Sequence, residues 1–142
     1  MALIGAHISV AGGLHKAYQR ADAVGCESMQ IFTRNQRQWL NKPLSFQEIE
    51  DFYRASKESS VKKVVSHASY LINLAGNDET REKSEEALIK ELERCNDLSI
   101  NDVILHPGFA VNGTGEEALR QVSGSLLKVL DVTSDIKVRI LL

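Results

Sequence analysis

Residues 63–67 read Lys-Val-Val-Ser-His, and residues 102–106 read Asp-Val-Ile-Leu-His. Each is a short, mostly apolar run that closes on a histidine. Between them lies a long stretch, residues 80–99, with Leu88, Leu92 and Cys95 on one side. Short apolar runs bounded by turn residues read as buried strands, and apolar residues recurring every three or four positions read as a helix face. Two strands joined by one helix favour parallel pairing through a right-handed crossover. In a parallel sheet all C-terminal strand ends lie on one rim, so His67 and His106 are expected to meet there despite their separation in the chain.

The alternation extends in both directions. Residues 3–8 read as a first strand, broken by Gly12-Gly13, and Leu14, Ala17, Tyr18, Ala21 and Val24 mark one face of a helix. Residues 28–32 read as a second strand. Ser45 followed three positions later by Glu48 is a capping-box spacing that opens a helix with Ile49, Phe52, Tyr53 and Ser56 inward. Residues 114–133 read as a fourth helix with Leu119, Val122, Leu126 and Leu130 inward, and residues 137–142 as a fifth strand. The class is α/β: four βα units plus strand five, either an open doubly wound sheet or part of an eight-stranded (β/α)8 TIM barrel. No linker or repeat divides the chain, so residues 1–142 are read as a single domain. Neither G-x-G-x-x-G after the first strand nor G-x-x-x-x-G-K-[ST] is present, which argues against a nucleotide cofactor.

Seventeen Lys and Arg against 19 Asp and Glu give a net charge of −2, which excludes a globally basic nucleic-acid coat but leaves room for a local basic patch. With 43% hydrophobic and 25% charged residues the chain has the composition of a packed globular domain, not of a disordered one. No apolar run is long enough to span a membrane, and the N-terminus does not read as a signal peptide. Cys26 and Cys95 form no metal-binding spacing and read as small core residues of a reduced, cytoplasmic protein.

Loops after strands in parallel sheets usually run about 2–6 residues; here those at 33–44 and 68–79 are much longer, and such loops are where sites are built. His67 and His106 are candidate metal ligands, because neutral imidazole suits zinc; two structural histidines bonded to loop backbone would give the same pattern. From Ser28 to Gln47 there is no acidic residue, while Arg34, Arg37 and Lys42 add positive charge. Within this basic stretch, Asn35, Gln36, Arg37, Gln38 and Trp39 combine amides, a guanidinium and an indole, a set suited to nucleic acid. The alternative is an exposed loop whose Trp39 folds back as a lid. Tyr70 and Leu71, in the apolar segment directly after His67, read as a wedge for a partner or as packing over the rim. Pro107 and Gly108 would hold His106 in a tight turn.

Taken together, GAHIS near the start, AGGL at 11–14, IFTRNQRQW at 31–39, SHASYLINLA at 66–75 and LHPG at 105–108 resemble the N-terminal half of endonuclease IV, a family of metal-dependent apurinic/apyrimidinic endonucleases. The resemblance implies a TIM barrel with three zinc ions at the C-terminal strand ends, His67 and His106 among their ligands. It implies double-stranded DNA with an abasic site as partner, Asn35 to Trp39 as one recognition loop with Arg37 entering the minor groove, and Tyr70 and Leu71 as part of a second. The reaction implied is hydrolysis of the phosphodiester 5′ to the abasic site, leaving a 3′-hydroxyl. A TIM barrel takes about 250 residues, and this chain has 142. The other ligands of the family are expected beyond Leu142, no catalytic residue is assigned, and the chain alone is expected to be inactive, to hold zinc weakly and to self-associate through open sheet edges. Two other readings are a metal-dependent sugar isomerase or epimerase-like barrel, and a non-catalytic DNA-binding fragment.

Overall fold

The computed structural model describes residues 2–39 and 41–142. Strands and helices alternate: β1 (Gly5–His7), α1 (Lys16–Ala23), β2 (Ser28–Ile31), α2 (Phe46–Glu58), β3 (Lys63–His67), α3 (Asp78–Asp97), β4 (Asp102–Ile104), α4 (Gly115–Val132) and β5 (Arg139–Leu141). The five strands form one sheet in the order β1-β2-β3-β4-β5, every neighbouring pair parallel. Consecutive strands pairing in chain order, each crossover made by one helix, is the winding of a barrel wall, in contrast to the reversed order of a doubly wound sheet.

Strand side chains alternate between two faces. One set, including Met29, Ile31, Val103 and Leu105, packs under the helices against Phe52, Leu88 and Leu92, all buried. The other set lines the concave face: Gly5, His7, Ser28, Gln30, Lys63 and Val65 border one open hollow there. Ser45 caps α2 and, with Glu48, forms the expected capping box; Thr114 and Glu117 form a second one at α4.

The inward face of α4 differs from the leucine stripe read from the sequence. Leu119 and Leu130 are exposed, Val122 and Leu126 half-buried, and the buried residues are Ser125 and Val129. That face carries a polar contact as well as the buried Val129: Ser125 Oγ donates to Glu85 Oε1 of α3 at 2.7 Å, and Lys128 pairs with the same carboxylate. Two further helix residues also point away from the core. Tyr53 is exposed beneath Lys57, whose Nζ lies 4.7 Å from the ring centroid, and Val24 is exposed beyond the end of α1.

Asp102, only 2% exposed, opens β4 and pairs with Lys63 of β3 and with Arg139 Nε of β5 at 2.7 Å. The Arg139 hydrogen bond, then Lys63, hold its carboxyl below the usual carboxylate range. A depressed native pKa adds stability that is present above the unfolded value, about 3.9, and is lost as pH falls through the native one. Asp102→Asn is therefore expected to lower stability by about 1–3 kcal/mol at neutral pH, with the difference from the parent shrinking as pH falls below about 4. Urea unfolding at pH 7 and pH 3 measures both; an equal deficit at the two values would contradict the assignment.

Candidate metal and nucleic-acid site

β3 and β4 are adjacent, with His67 in register with Ile104. His106 follows two residues later, and the two imidazole centroids stand 5.0 Å apart. The parallel register thus brings together two side chains 39 positions apart in the sequence. His67 is buried and His106 exposed. His67 Nδ1 lies 2.7 Å from the Ala68 carbonyl oxygen. A carbonyl only accepts, so Nδ1 carries a proton, and in the neutral ring Nε2 is the lone-pair nitrogen. This backbone acceptor is the kind of partner that orients a ligating histidine.

Aromatic rings surround the pair. Tyr70, exposed, lies 5.0 Å from His67 and stacks at 18° on His106 with centroids 6.2 Å apart. Phe32 touches His67, Tyr70 and His7, the last at 4.5 Å. His7 accepts at Nδ1 from the Gln30 amide at 2.7 Å, and burial, then the neighbouring His67, keep it below the usual imidazole range. His7 therefore borders the pair as a neutral ring. Among the described residues, no group of three or more His, Cys, Asp or Glu side chains converges on a possible metal position. Imidazole nitrogens are donors of the kind zinc takes, and the two here are fewer than the roughly four a zinc site uses.

The segment 33–39 rises beside this rim. Asn35 Oδ1 accepts from the Arg37 amide at 2.9 Å, an Asx turn, and Asn41 Oδ1 accepts from the Asn35 amide at 3.1 Å. Asn35, Arg37 and Gln38 are exposed and Gln36 is half-buried. Trp39 is half-buried and packs on the core, where with Arg34 and Arg94 it borders a cavity of about 530 Å³. The structure thus turns the indole inward, while Arg37 and the amides face solvent. Ser69 Oγ donates to the Gln36 carbonyl at 2.8 Å, joining this loop to the one that carries Tyr70 and the half-buried Leu71.

The β4–α4 loop is latched to the same place. Asn73 Oδ1 accepts from the Phe109 amide at 3.0 Å, and the Leu74 amide donates to the Pro107 carbonyl at 2.8 Å. Gly108 sits at φ +114°, and a Cβ there would fall 2.0 Å from Asn73 Oδ1. This close approach admits only glycine and places the residues after His106 against those after Tyr70.

Comparisons with known proteins give three findings. A family model described as a xylose isomerase-like TIM barrel matches residues 18–142. The probable endonuclease 4 of Chloroflexus aurantiacus is 46% identical over 132 residues, covering 92% of this chain and 46% of that protein; its counterpart in Halorhodospira halophila is 46% identical over 124 residues, covering 87% and 42%. Among solved structures, endonuclease IV from Thermus thermophilus superposes with a TM-score of 0.80 at 32% identity, covering 92% of this chain and 48% of that one. A D-tagatose 3-epimerase-like protein superposes at 0.70 with 17% identity over 96% of this chain and 51% of its own, a likeness of fold alone. The chain spans about half the length of the curated relatives it matches.

The latch carries an expectation. Gly108→Ala combines a strained left-handed backbone with a backbone collision, and is expected to lower stability by about 2 kcal/mol or more. It is also expected to separate the His106 and Tyr70 rings. Thermal unfolding and the ring-current shifts of the His106 protons measure the two effects; a variant with parent-like values for both would remove the latch from this account.

Proposed function

The chain belongs to the xylose isomerase-like TIM-barrel family, in its endonuclease IV branch, and from that membership we propose that it carries the metal- and DNA-binding rim of an enzyme that hydrolyses the phosphodiester 5′ to an abasic site, leaving a 3′-hydroxyl. One observation carries this reading. The converging imidazoles of His67 and His106 lie under the exposed Tyr70 ring, and a hydrogen bond ties that loop to the one bearing the exposed Arg37. Residues 1–142 are read as one domain, the N-terminal part of such a barrel, and a cytoplasmic location accompanies the reading. Among the described residues, no helix is long and apolar enough to cross a membrane.

The roles follow from chemistry and exposure. His67 and His106 would hold zinc through neutral nitrogens, with the Ala68 carbonyl fixing the tautomer of the first. Zinc, when bound, supplies Lewis-acid polarisation of a phosphoryl oxygen and lowers the pKa of a water. Arg37, with Asn35, Gln36 and Gln38 beside it, supplies charge and hydrogen bonds to the duplex. Tyr70, with Leu71 behind it, offers an aromatic face to the gap left when an abasic nucleotide leaves the stack. Trp39, packed inward, supports the loop from below. Strands β1 and β5 each pair on one side only, and we expect these edges to drive self-association at high concentration.

Two measurements test the reading. The 142-residue chain is expected to prefer an abasic duplex over an intact one. Arg37→Ala should weaken that binding by about 1–3 kcal/mol and reduce the slope of log affinity against log salt by about 1. Undiminished binding by the variant would sink the loop assignment, and binding of a ketose with none of abasic DNA would sink the reading itself. With two imidazole donors, the chain is expected to retain zinc substoichiometrically after dialysis and to retain less when His67 is changed to Ala. Elemental analysis decides this, and one or more firmly held ions per chain would contradict it.

A further inference from the structure

Glu91 of α3 is fully buried, yet it takes no part in the rim chemistry above. Its Oε1 accepts from Thr33 Oγ1 at 2.7 Å and from Ser66 Oγ at 2.6 Å. Its Oε2 lies 3.3 Å from Arg34 Nε, both side chains being almost wholly buried. Burial holds the Arg34 guanidinium below its usual range, against the opposing pull of Glu91. Strand alternation gives these contacts their meaning. Thr33 and Ser66 face the helix layer, whereas their immediate neighbours Phe32 and His67 face the rim and touch each other there. One carboxylate oxygen therefore grips the start of the loop after β2 and the end of β3 from behind, one residue away from each rim group.

Arg94, three residues further along the same helix, grips the rest of the loop. Its Nη2 donates to the Thr33 carbonyl at 2.5 Å and its Nη1 to the Lys42 carbonyl at 3.0 Å. Helix α3 thus holds the loop at its entry, Thr33 and Arg34, and at its exit, Lys42.

We propose that Glu91 is a positioning residue that sets the loop bearing Arg37 against the end of β3 bearing His67, by bonding Thr33 and Ser66 through a single oxygen. The role in DNA recognition rests on the function proposed above; the placement of the loop does not. Trp39, the only tryptophan in the chain, sits in that loop and reports its position directly.

The test uses the full chain with Glu91→Gln, Thr33→Val and Ser66→Ala, each checked by circular dichroism. The readouts are acrylamide quenching of Trp39 and the ratio of affinities for abasic and intact duplex. Thr33→Val cuts only the loop side and is expected to raise quenching. Ser66→Ala cuts only the β3 side and is expected to leave quenching at the parent value, since Thr33 still ties the loop to α3, but to reduce the abasic preference because the His67 end of β3 loses its anchor to the loop. Glu91→Gln is expected to raise quenching and to reduce the abasic preference by about tenfold. If Ser66→Ala raises quenching as much as Thr33→Val, the effect is general loosening of the core and the proposal fails. It fails equally if Thr33→Val leaves Trp39 at the parent value, a result that decides the matter even where Glu91→Gln does not fold. If the parent shows no abasic preference, the proposed function falls, and the quenching arm alone judges the placement.

Discussion

Parallel pairing of consecutive strands is the constraint on which everything else rests. Since β1 to β5 all run the same way and pair in chain order, their C-terminal ends share one rim, and every loop that follows a strand emerges there. Register does the finer work. His67 opposes Ile104, so His106 arrives two residues higher on the neighbouring strand, close enough for the rings to meet. A slip by one residue would send His67 into the helix layer and Ser66 onto the rim. The buried contacts of Ser66 and Val103 on the other face make that slip costly.

The rim is held from two directions. Above the sheet the loops brace one another: Ser69 bonds the Gln36 carbonyl, and Asn73 bonds the Phe109 amide. Behind the sheet, α3 supplies Glu91 and Arg94. The buried pair that Glu91 makes with Arg34 contributes little net stability, because desolvation offsets much of the attraction. Their contribution is directional: a carboxylate that accepts two short hydroxyl bonds tolerates few other arrangements of its donors. Exposed groups such as Arg37 and Tyr70 can then face solvent on loops whose bases do not drift.

Much of the fold was legible in the chain, for identifiable reasons. The alternation of apolar runs and helical periodicity gave the strand and helix order, and the Ser45–Glu48 spacing gave the start of α2. The meeting of His67 and His106 followed from their place at strand ends. The inward face of α4 was not legible, because leucines occur on several of its sides. The face that packs inward carries Val129 and Ser125, the latter bonding Glu85, a partner 40 residues away. Glu91 was hidden for a similar reason: within Lys-Glu-Leu-Glu-Arg it reads as one more solvated charge, and its buried carboxylate is met by hydroxyls contributed by the loop after β2 and by β3. The side taken by Trp39 was left open by composition and is settled by packing against the core.

The hydrogen bond from His67 to the Ala68 carbonyl has a kinetic corollary. A ring held by the backbone in one orientation has little rearrangement to undergo before it presents its free nitrogen, whereas the exposed His106 is placed by the turn that follows it and by the Tyr70 and His67 rings beside it. If the pair holds a metal, as proposed, His67 would be its preorganised donor and His106 its more exposed one.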